Sequence, residues 1–277
     1  MSLRVFIGGV RGSRPVTGGV FSEFGGETTS LLVVSESGSR LVLDAGTGLT
    51  AVAEQLQQQE PGEVTILFSH YHLDHLMGLT MNPLLYQSDW SFHLVGPVSA
   101  AGDVRQAVTG LLAMPYWPVT WEQMAARITF ADFTETGLEV GDLTIRGCAM
   151  PHPNGSTAYR IEEPSGSSLV FATDVEWQQA GDAERSAFMS LCQSPRPADV
   201  LLMDAHFQRH QAQAFAGWGH TCGEDVLDIA AQVGIQQVLL GHHAPEADDA
   251  ALRSIESQLQ QQYPGCALAR SGWVGRS

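Results

Sequence analysis

Cysteine is scarce in this sequence of 277 residues, and the four cysteines lie far apart with no CxxC pair among them. This spacing excludes a zinc ribbon and gives no sign of a disulfide framework, which favours the reducing cytoplasm. Long apolar runs are absent as well, because no stretch approaches the roughly 18 residues of a membrane span. The apolar start, MSLRVFIGG, is too short for a signal peptide core. We therefore expect a soluble cytoplasmic protein that does not bind membranes.

Positive charge is also in short supply. Lysine is absent, and 14 basic residues stand against 30 acidic ones, which gives a formal net charge of −16. A charge of this size repels polyanions at long range, so binding to nucleic acid is not expected. Repeats, low-complexity tracts and Ser/Gly linkers are missing too, while an apolar fraction of 44% is sufficient for a well-buried core. We therefore expect one domain that spans residues 1–277.

Short apolar runs that are rich in β-branched residues predict strands in both halves of the chain. The predicted strands cover residues 31–34, 41–43, 64–68, 92–95, 128–130, 143–148, 158–161, 169–171, 200–203 and 238–240. Apolar residues at three- and four-residue spacing predict helices at residues 49–59, 104–112, 225–233 and 250–262. Many short strands with fewer helices imply two sheets packed face to face, with the helices covering the outside.

Polar residues of metal-binding types follow the apolar runs at the point where each predicted strand ends. They are Asp44 after LVL, His70 after TILFS, Asp174 after LVFAT, Asp204 after VLLM and His242 after VLLG. A rigid scaffold presents ligands in this way, in loops at one edge of its sheets.

The segment FSHYHLDHLMGL contains His70, His72, Asp74 and His75 within six residues. Side chains two residues apart in an extended segment point to the same side, so His70 and His72 can bind one ion together. A turn into a helix at Leu73 would direct Asp74 and His75 toward a second ion. A lone histidine here would be interpreted as part of a solvated turn, but four ligand types directly after an apolar strand favour a metal site.

Two ions that share a bridge need further ligands, and His152, Asp174 and His242 each follow a predicted strand. A carboxylate has two oxygens and can hold two ions about 3.5–4 Å apart, which makes Asp174 the natural bridge. Taken singly, His152 or His242 would more often be structural. Together with the cluster at residues 70–75, both are expected to be ligands.

The motif HxHxDH, preceded by an aspartate in LVLDAGTGL and followed by separated His, Asp and His, resembles the metallo-β-lactamase superfamily. The segments GVRGSRPVTGGVFSEFGGETTSLLV, LLAMPYWPVTWEQMAARITF, MPHPNGSTAYRIE and GWGHTCGEDVLDIA look like a bacterial branch related to cyclic-nucleotide phosphodiesterases and ribonuclease Z. The resemblance therefore covers nearly the whole chain. Glu27 stands where that branch usually has asparagine, which affects hydrogen bonds of its loop but no metal ligand.

This resemblance implies an α/β (α+β) fold, namely a four-layer αββα sandwich of two mixed β-sheets flanked by helices, with a site for two zinc ions. Manganese and iron are alternatives, because a site rich in histidine and carboxylate accepts all three metals. By motif position, one ion has the ligands His70, His72 and His152, the other has Asp74, His75 and His242, and Asp174 bridges the two.

Two further assignments follow from the same resemblance. Asp44 would orient a ligand histidine through its free ring nitrogen. His242 is preferred to the adjacent His243, because the ligand in the similar enzymes is the residue nearer the apolar strand.

His220, in GWGHTCGEDV, resembles the histidine of the His-Ser-Thr motif of ribonuclease Z and its phosphodiesterase relatives, which donates a proton to the departing oxygen. An imidazole suits this role because it is a good acid near pH 7. The alternative is a residue before a helix that Thr221 caps. A solvated face beside a glutamine-rich helix is one interpretation of His206 and His210, so His206 is left outside the ligand set and its role stays open.

Tyr116 and Trp117, flanked by prolines, fit two interpretations equally well. They would either form a lid over an apolar ring of the substrate or belong to the core.

The residues and the resemblance together predict a metal-dependent hydrolase, in which a metal-bridged hydroxide attacks the phosphorus of a phosphodiester. Asp74 and Asp174 would orient the nucleophile, and His220 would protonate the leaving group. We expect a small substrate that resembles a cyclic nucleotide, because an acidic chain gains little from a long phosphate backbone.

Other functions stay open. They are a tRNA 3′-end endonuclease, a thioester hydrolase, a lactonase and, outside enzymes, a metal-binding sensor. The Gly- and Lys-rich arm that is usual in a tRNA-processing enzyme is absent. Thioester hydrolysis has no need for His220. The oligomeric state, including a homodimer, is open as well.

Overall fold

In the computed structural model, residues 3–100 and 102–276 are described. The strands are β1 Arg4–Gly9, β2 Ser30–Val34, β3 Arg40–Leu43, β4 Glu63–Leu67, β5 Ser91–Pro97, β6 Arg127–Phe133, β7 Leu138–Val140, β8 Leu143–Met150, β9 Ser156–Glu162, β10 Ser168–Ala172, β11 Val200–Asp204, β12 Gln237–Gly241, β13 Cys266–Leu268 and β14 Val274–Arg276. The α-helices are α1 Leu49–Gln57, α2 Val104–Leu111, α3 Asp182–Gln193, α4 Gly223–Val233 and α5 Asp249–Gln262. Over these residues, every helix is too short or too polar to traverse a lipid bilayer.

The strands form two sheets of seven strands each. The first has the order β14-β1-β2-β3-β4-β5-β6, and the second has the order β13-β12-β11-β10-β9-β8-β7. Strands β3 to β6 pair in parallel, as do β10 to β13, whereas the remaining pairs are antiparallel. Both sheets are therefore mixed.

The two sheets bury both of their faces, because side chains alternate between the faces along each strand. In β3, Leu41 and Leu43 point into the core between the sheets, while Val42 packs on the helix side. In β10, Leu169 likewise points into the core between the sheets, and Val170 packs on the helix side. Helices α1 and α2 pack on the first sheet, and α3, α4 and α5 pack on the second.

The predicted fold class is confirmed, because two mixed sheets lie between outer layers of helices. All of the predicted strands and helices overlap observed elements, although β1, β7, β13, β14 and α3 were not predicted. Helix α3 buries only Phe188, Leu191 and Cys192, so its apolar stripe is narrow. A narrow stripe of this kind gives a weak periodic signal in the sequence.

The carboxyl ends of the parallel strands in both sheets meet at one edge of the sandwich. Asp44 follows β3, residues 69–75 follow β4, Asp174 follows β10 and His242 follows β12. This edge places polar residues that are far apart in the sequence next to one another.

Candidate metal centre

The HxHxDH segment leaves β4 in an extended conformation and then tightens into a short 3-10 helix, Leu73–His75. The rings of His70 and His72 lie with their centroids 4.5 Å apart, and Asp74 and His75 are buried on the turn. The predicted change of direction at Leu73 is thus present.

Asp44 determines the orientation of two imidazoles. Its carboxylate accepts hydrogen bonds from Ser69 N at 2.7 Å, Ser69 Oγ at 2.8 Å and His75 Nδ1 at 2.9 Å. Because the Ser69 hydroxyl donates to Asp44, its oxygen accepts from His70 Nδ1 at 3.0 Å. Both histidines therefore carry a proton on Nδ1 and direct Nε2 toward the centre.

Asp174 lies between two groups of side chains. Its Oδ1 is 3.8 Å from His70 Nε2 and 3.5 Å from His152 Nε2. Its Oδ2 is 3.1 Å from both His75 Nε2 and His242 Nδ1. One carboxylate oxygen thus faces each group.

The two groups have the membership that the sequence predicted. His70, His72, His152 and Asp174 form one set of potential ligand atoms within 4.8 Å of one another, and Asp74, His75 and His242 form the other. His152 is oriented like the others, because its Nδ1–H donates to Gly219 O at 2.8 Å and its Nε2 faces the centre.

The donor set fits divalent metal ions. The Nε2 atoms of His70, His75 and His242 are buried and have no hydrogen-bond partner among the described residues. Buried polar atoms of this kind are costly unless another group satisfies them. Imidazole nitrogens together with carboxylate oxygens are the donors that zinc and similar ions prefer.

The electrostatics of the centre also favour a cation. Burial by itself lowers the pKa of His75, but the charges of Asp74, Asp174 and Asp44 outweigh it and hold this pKa well above the usual value. In the described part of the chain, no arginine forms an ion pair with these carboxylates. In the metal-free chain the protonated His75 therefore balances part of this negative charge, and a bound cation would balance it instead.

The backbone is strained where the site residues leave their strands. Asp44, Asp174 and His242 have φ values of 55°, 54° and 56°, in the left-handed region. Each such residue costs about 1–3 kcal/mol and persists only where the surrounding structure determines it. Clusters of strained residues are typical of functional sites.

The turn at His242 separates it from His243. The ring of His242 faces the centre and packs against the backbone of Gly12. A Cβ atom at position 12 would lie only 2.4 Å from this ring, so only glycine fits there. His243 points the other way, and its Nε2 is 2.8 Å from Ala269 O. Burial lowers the pKa of His243 to about 3, so it is a neutral structural residue.

A second imidazole system adjoins the candidate metal ligands. His220 Nδ1 donates to Asp204 Oδ2 at 2.7 Å, and the His220 ring lies 4.8 Å from that of His242. Burial by itself lowers the pKa of His220, but the charge and hydrogen bond of Asp204 outweigh it and raise this pKa to about 9. His220 is therefore protonated at neutral pH in the chain as it stands.

Thr221 does not cap the helix that follows. Helix α4 begins at Gly223 with no side-chain cap, and the Thr221 hydroxyl instead donates to Val175 O and accepts from Trp177 N. The capping alternative is therefore wrong. Thr221 joins the loop of His220 to the loop that follows Asp174.

His206 is packed among the histidines of the site, so the solvated-face interpretation does not apply to it. Its ring stacks on His220 with centroids 4.4 Å apart, and its Nδ1 donates to His242 O at 2.9 Å. The three histidines lie close enough to form another potential ligand set. His210, by contrast, is exposed as predicted.

Sequence reasoning gave no role to Asp204 or Glu176. Asp204 follows VLLM, and this strand-end position was a usable signal. The buried Glu176 accepts hydrogen bonds from Gly217 N at 2.6 Å and Gly219 N at 2.9 Å, a contact across 41 residues for which the sequence has no local signal.

Two cavities adjoin the centre. One of about 480 Å³ is lined by His70 and His72, and one of about 680 Å³ is lined by His206 and His220. The rest of the smaller lining is mainly apolar. The larger cavity combines aromatic and aliphatic side chains with polar and charged ones, among them Arg14 and Glu224. The smaller cavity therefore offers room for a ligand beside two candidate metal ligands, and the larger one offers room beside His220.

Tyr116 and Trp117 line neither of these cavities in the described structure. Tyr116 is 77% exposed. Trp117 packs against the core outside the first sheet, and its Nε1 donates to Tyr86 Oη at 3.2 Å. The core interpretation therefore applies to Trp117, which belongs to the packing of the first sheet, whereas Tyr116 lies at the surface.

Comparisons with known proteins agree with this geometry. The family described as beta-lactamase superfamily domain matches residues 39–243. An uncharacterized protein of Mycobacterium tuberculosis is 25% identical over 228 residues, which cover 74% of this chain and 70% of that protein. Ribonuclease Z of Methanopyrus kandleri is 21% identical over 278 residues, with coverage of 88% and 90%.

Solved structures show the same fold. The metallo-beta-lactamase fold protein YhfI from Bacillus subtilis has a TM-score of 0.72 at 19% identity, covering 99% of this chain and 100% of that one. A diphosphatase from the PhnP family has a TM-score of 0.71 at 16% identity, with coverage of 100% and 98%.

The chain belongs to the beta-lactamase superfamily, and it has the fold of the metallo-β-lactamase hydrolases. The resemblance that the sequence motifs indicated, to this superfamily and to its ribonuclease Z-like branch, is confirmed.

Proposed function

We propose that the centre binds two divalent metal ions, with zinc as the first candidate and manganese or iron as alternatives. His70, His72 and His152 would hold one ion, Asp74, His75 and His242 would hold the other, and Asp174 would bridge them. The division of the donors into two groups that share Asp174 supports this assignment. Bound ions would supply the acidity that makes water a nucleophile near pH 7 and would neutralise phosphoryl oxygens.

We further propose that the protein hydrolyses a small phosphodiester. The observation that carries this proposal is the His220–Asp204 pair beside the metal-binding residues. An alkoxide leaving group is a strong base and needs a proton donor, whereas a thioester or an activated lactone has much less need of one. Asp204 holds Nδ1 of His220, so Nε2 is the nitrogen that can donate the proton.

The residues of the chain divide the reaction between them. Asp74 and Asp174 orient the attacking water, Asp74 itself being fixed by a hydrogen bond from Ser13 N at 2.9 Å. A new bond forms between the water oxygen and phosphorus, and the bond from phosphorus to the leaving oxygen breaks. His220 gives its proton to that oxygen. The proton released by water restores the imidazolium, so an alcohol and a phosphate monoester result.

The size of the substrate follows from charge. The net charge of −16 opposes a long polyanion, so binding must come from one phosphate and the groups next to it. Names of similar proteins, a ribonuclease Z and a diphosphatase, support chemistry on phosphoryl groups. The four cysteines are free thiols, which agrees with action in the cytoplasm.

The substrate class is tested with the metal-loaded protein and a panel of substrates. The panel contains a cyclic nucleotide, bis(p-nitrophenyl) phosphate, a thioester, a lactone and a pre-tRNA. We expect hydrolysis of a small cyclic or aryl phosphodiester and no specific cleavage of the pre-tRNA at its 3′ end. Efficient, site-specific pre-tRNA cleavage at physiological salt would make the endonuclease the better assignment.

The role of His220 is tested by His220→Ala, with the exposed His210→Ala as a matched control. We expect the first variant to keep its metal and to lose roughly a hundredfold or more in turnover on alkyl leaving groups. The loss should shrink with p-nitrophenolate, which leaves without a proton. Loss of metal, or an equal loss on both kinds of substrate, would show that His220 is not the acid.

A further inference from the structure

Trp218 is a large apolar side chain exposed beside the proposed reaction centre. It is 63% exposed, and it lines the 680 Å³ cavity together with His206 and His220. Tyr116 is another strongly exposed aromatic residue, but it lines neither cavity beside the centre. Exposure of an indole at such a place favours contact with a ligand.

The position of Trp218 is fixed by the backbone on both sides of it. The buried carboxylate of Glu176 accepts from Gly217 N and Gly219 N, at 2.6 and 2.9 Å. Both glycines have positive φ values, of 87° and 89°, which other residues rarely adopt. The same turn orients His152, because Gly219 O accepts its Nδ1–H. The turn therefore presents Trp218 at a defined place relative to the metal-binding residues.

Two phenylalanines extend the indole into an aromatic wall. The Trp218 ring packs edge-on against Phe215 at 5.2 Å, and Phe215 stacks on Phe207 at 4.7 Å with an interplanar angle of 6°. Phe207 in turn lies 5.9 Å from His220. We call Phe207, Phe215 and Trp218 the aromatic wall. It runs along the cavity from solvent to the proposed acid.

We propose that the aromatic wall binds a planar ring carried by the leaving group of the substrate, with Trp218 as the stacking surface. This inference rests on the proposed function, because an acid at His220 requires the leaving oxygen, and the group attached to it, to lie in this cavity. The cavity is within the range of about 300–1,000 Å³ that is typical of small-molecule sites. Glutamine side chains at positions 208 and 211 add polar contacts for a ring with heteroatoms.

The leaving group is thus a nucleoside or an aryl alcohol. In a cyclic nucleotide the leaving oxygen and the base belong to the same group, so one compact substrate reaches both His220 and Trp218. The three side chains of the aromatic wall are uncharged, so we expect them to bind the ring of the substrate. The phosphate would bind at the candidate metal ligands.

The proposal is tested by binding to the zinc-loaded full chain, measured by calorimetry with adenosine 5′-monophosphate and with methyl phosphate. The variants are Trp218→Ala and Trp218→Phe, with Tyr116→Ala as a matched exposed control. We expect Trp218→Ala to weaken binding of the nucleotide roughly tenfold, which lies within the range for base stacking on an aromatic side chain. Trp218→Phe should retain most of the affinity, and methyl phosphate should bind all variants equally.

Unchanged nucleotide affinity in Trp218→Ala would overturn the proposal. An equal loss for methyl phosphate, or loss of zinc, would overturn it too, because the residue would then only hold the His152 turn in place. The binding test is separate from turnover. If no phosphodiester is hydrolysed but Trp218→Ala still weakens nucleotide binding selectively, the proposed function fails and the aromatic wall stands. If phosphodiesters are hydrolysed and the variant binds normally, the wall alone fails.

Discussion

The two sheets contribute to the metal centre in different ways. The first sheet supplies His70, His72, Asp74 and His75 from a single segment after β4. The second sheet supplies its residues from three separate strand ends, namely His152 after β8, Asp174 after β10 and His242 after β12. In the first group, His70 and His75 are both oriented by Asp44, His70 through Ser69. In the second group, His152 is held by Gly219 O, whereas Asp174 and His242 share contacts with Thr173 Oγ1.

This difference separates metal binding from the surroundings of the reaction. The segment after β4 in the first sheet contributes mainly candidate metal ligands. The loops of the second sheet also contribute the His220–Asp204 pair, the turn held by Glu176 and the aromatic wall. We therefore expect substitutions around Asp44 to reduce metal affinity, and substitutions around Asp204 to reduce turnover with the metal in place.

The largest effect is expected where the two sheets meet, at Asp174. Asp174→Ala removes the carboxylate that contacts both groups of donors, so the zinc content after reconstitution should fall below one ion per chain. Metal analysis of the purified variant measures this, with the exposed Asp89→Ala as control. Retention of one tightly bound ion would show that the two groups bind metal independently.

The comparison is sharpened by a pair of isosteric changes, Asp44→Asn and Asp204→Asn. An amide at position 44 cannot accept all of the bonds from Ser69 and His75, so zinc affinity should fall about 10- to 100-fold. Asp204→Asn should keep its zinc and lose turnover on alkyl leaving groups. Zinc titration and kinetics on both variants check this. An equal loss of zinc from both would break the distinction between the sheets.

A smaller effect is expected in the pH dependence of the metal-free protein. The pKa of His220 is raised from 6.5 to about 9 by Asp204, so its stabilising contribution is fully present below about pH 6.5. The contribution is lost as pH rises through about 9, and it is worth roughly 3 kcal/mol at most. Thermal unfolding should show the advantage of the wild type over Asp204→Asn shrinking between these pH values. A constant difference would contradict the assignment.

The smallest effect is expected in the first sheet, away from the centre. Trp117→Ala removes packing against the core beside α2, so the Tm should fall by a few degrees while KM stays unchanged. Tyr116→Ala, at an exposed neighbouring position, should change neither quantity. A raised KM in Trp117→Ala would restore the lid interpretation.

The sequence predicted most of the strands and the candidate ligand side chains, because both depend on local patterns, whereas the division of the candidate ligands into two groups came from the resemblance to a known family. Ligand spacing in HxHxDH is local, and each further candidate follows an apolar run. The surroundings of His206 were not predictable in this way. Its glutamine-rich neighbours are typical of a solvated segment, and only the approach of His220 and the His242 carbonyl makes it part of a packed histidine cluster.

The positions of the aromatic residues relative to the cavities were also not predictable from local patterns. Tyr116 and Trp117 stand out in the sequence between two prolines, but neither of them lines one of the two cavities. Trp218 has only glycines beside it, and nothing local shows that Glu176 holds those glycines in place.

The sequence by itself determined the alternation of apolar residues that builds two sheets, and the ligand types at the ends of the strands. These follow from side-chain direction and spacing within a few residues. The tertiary structure decided which distant loops meet, and with them the Asp204–His220 pair, the turn around Trp218 and the opposite directions of His242 and His243. Such contacts depend on where strands of different sheets end in space, which the pattern within any one segment does not specify.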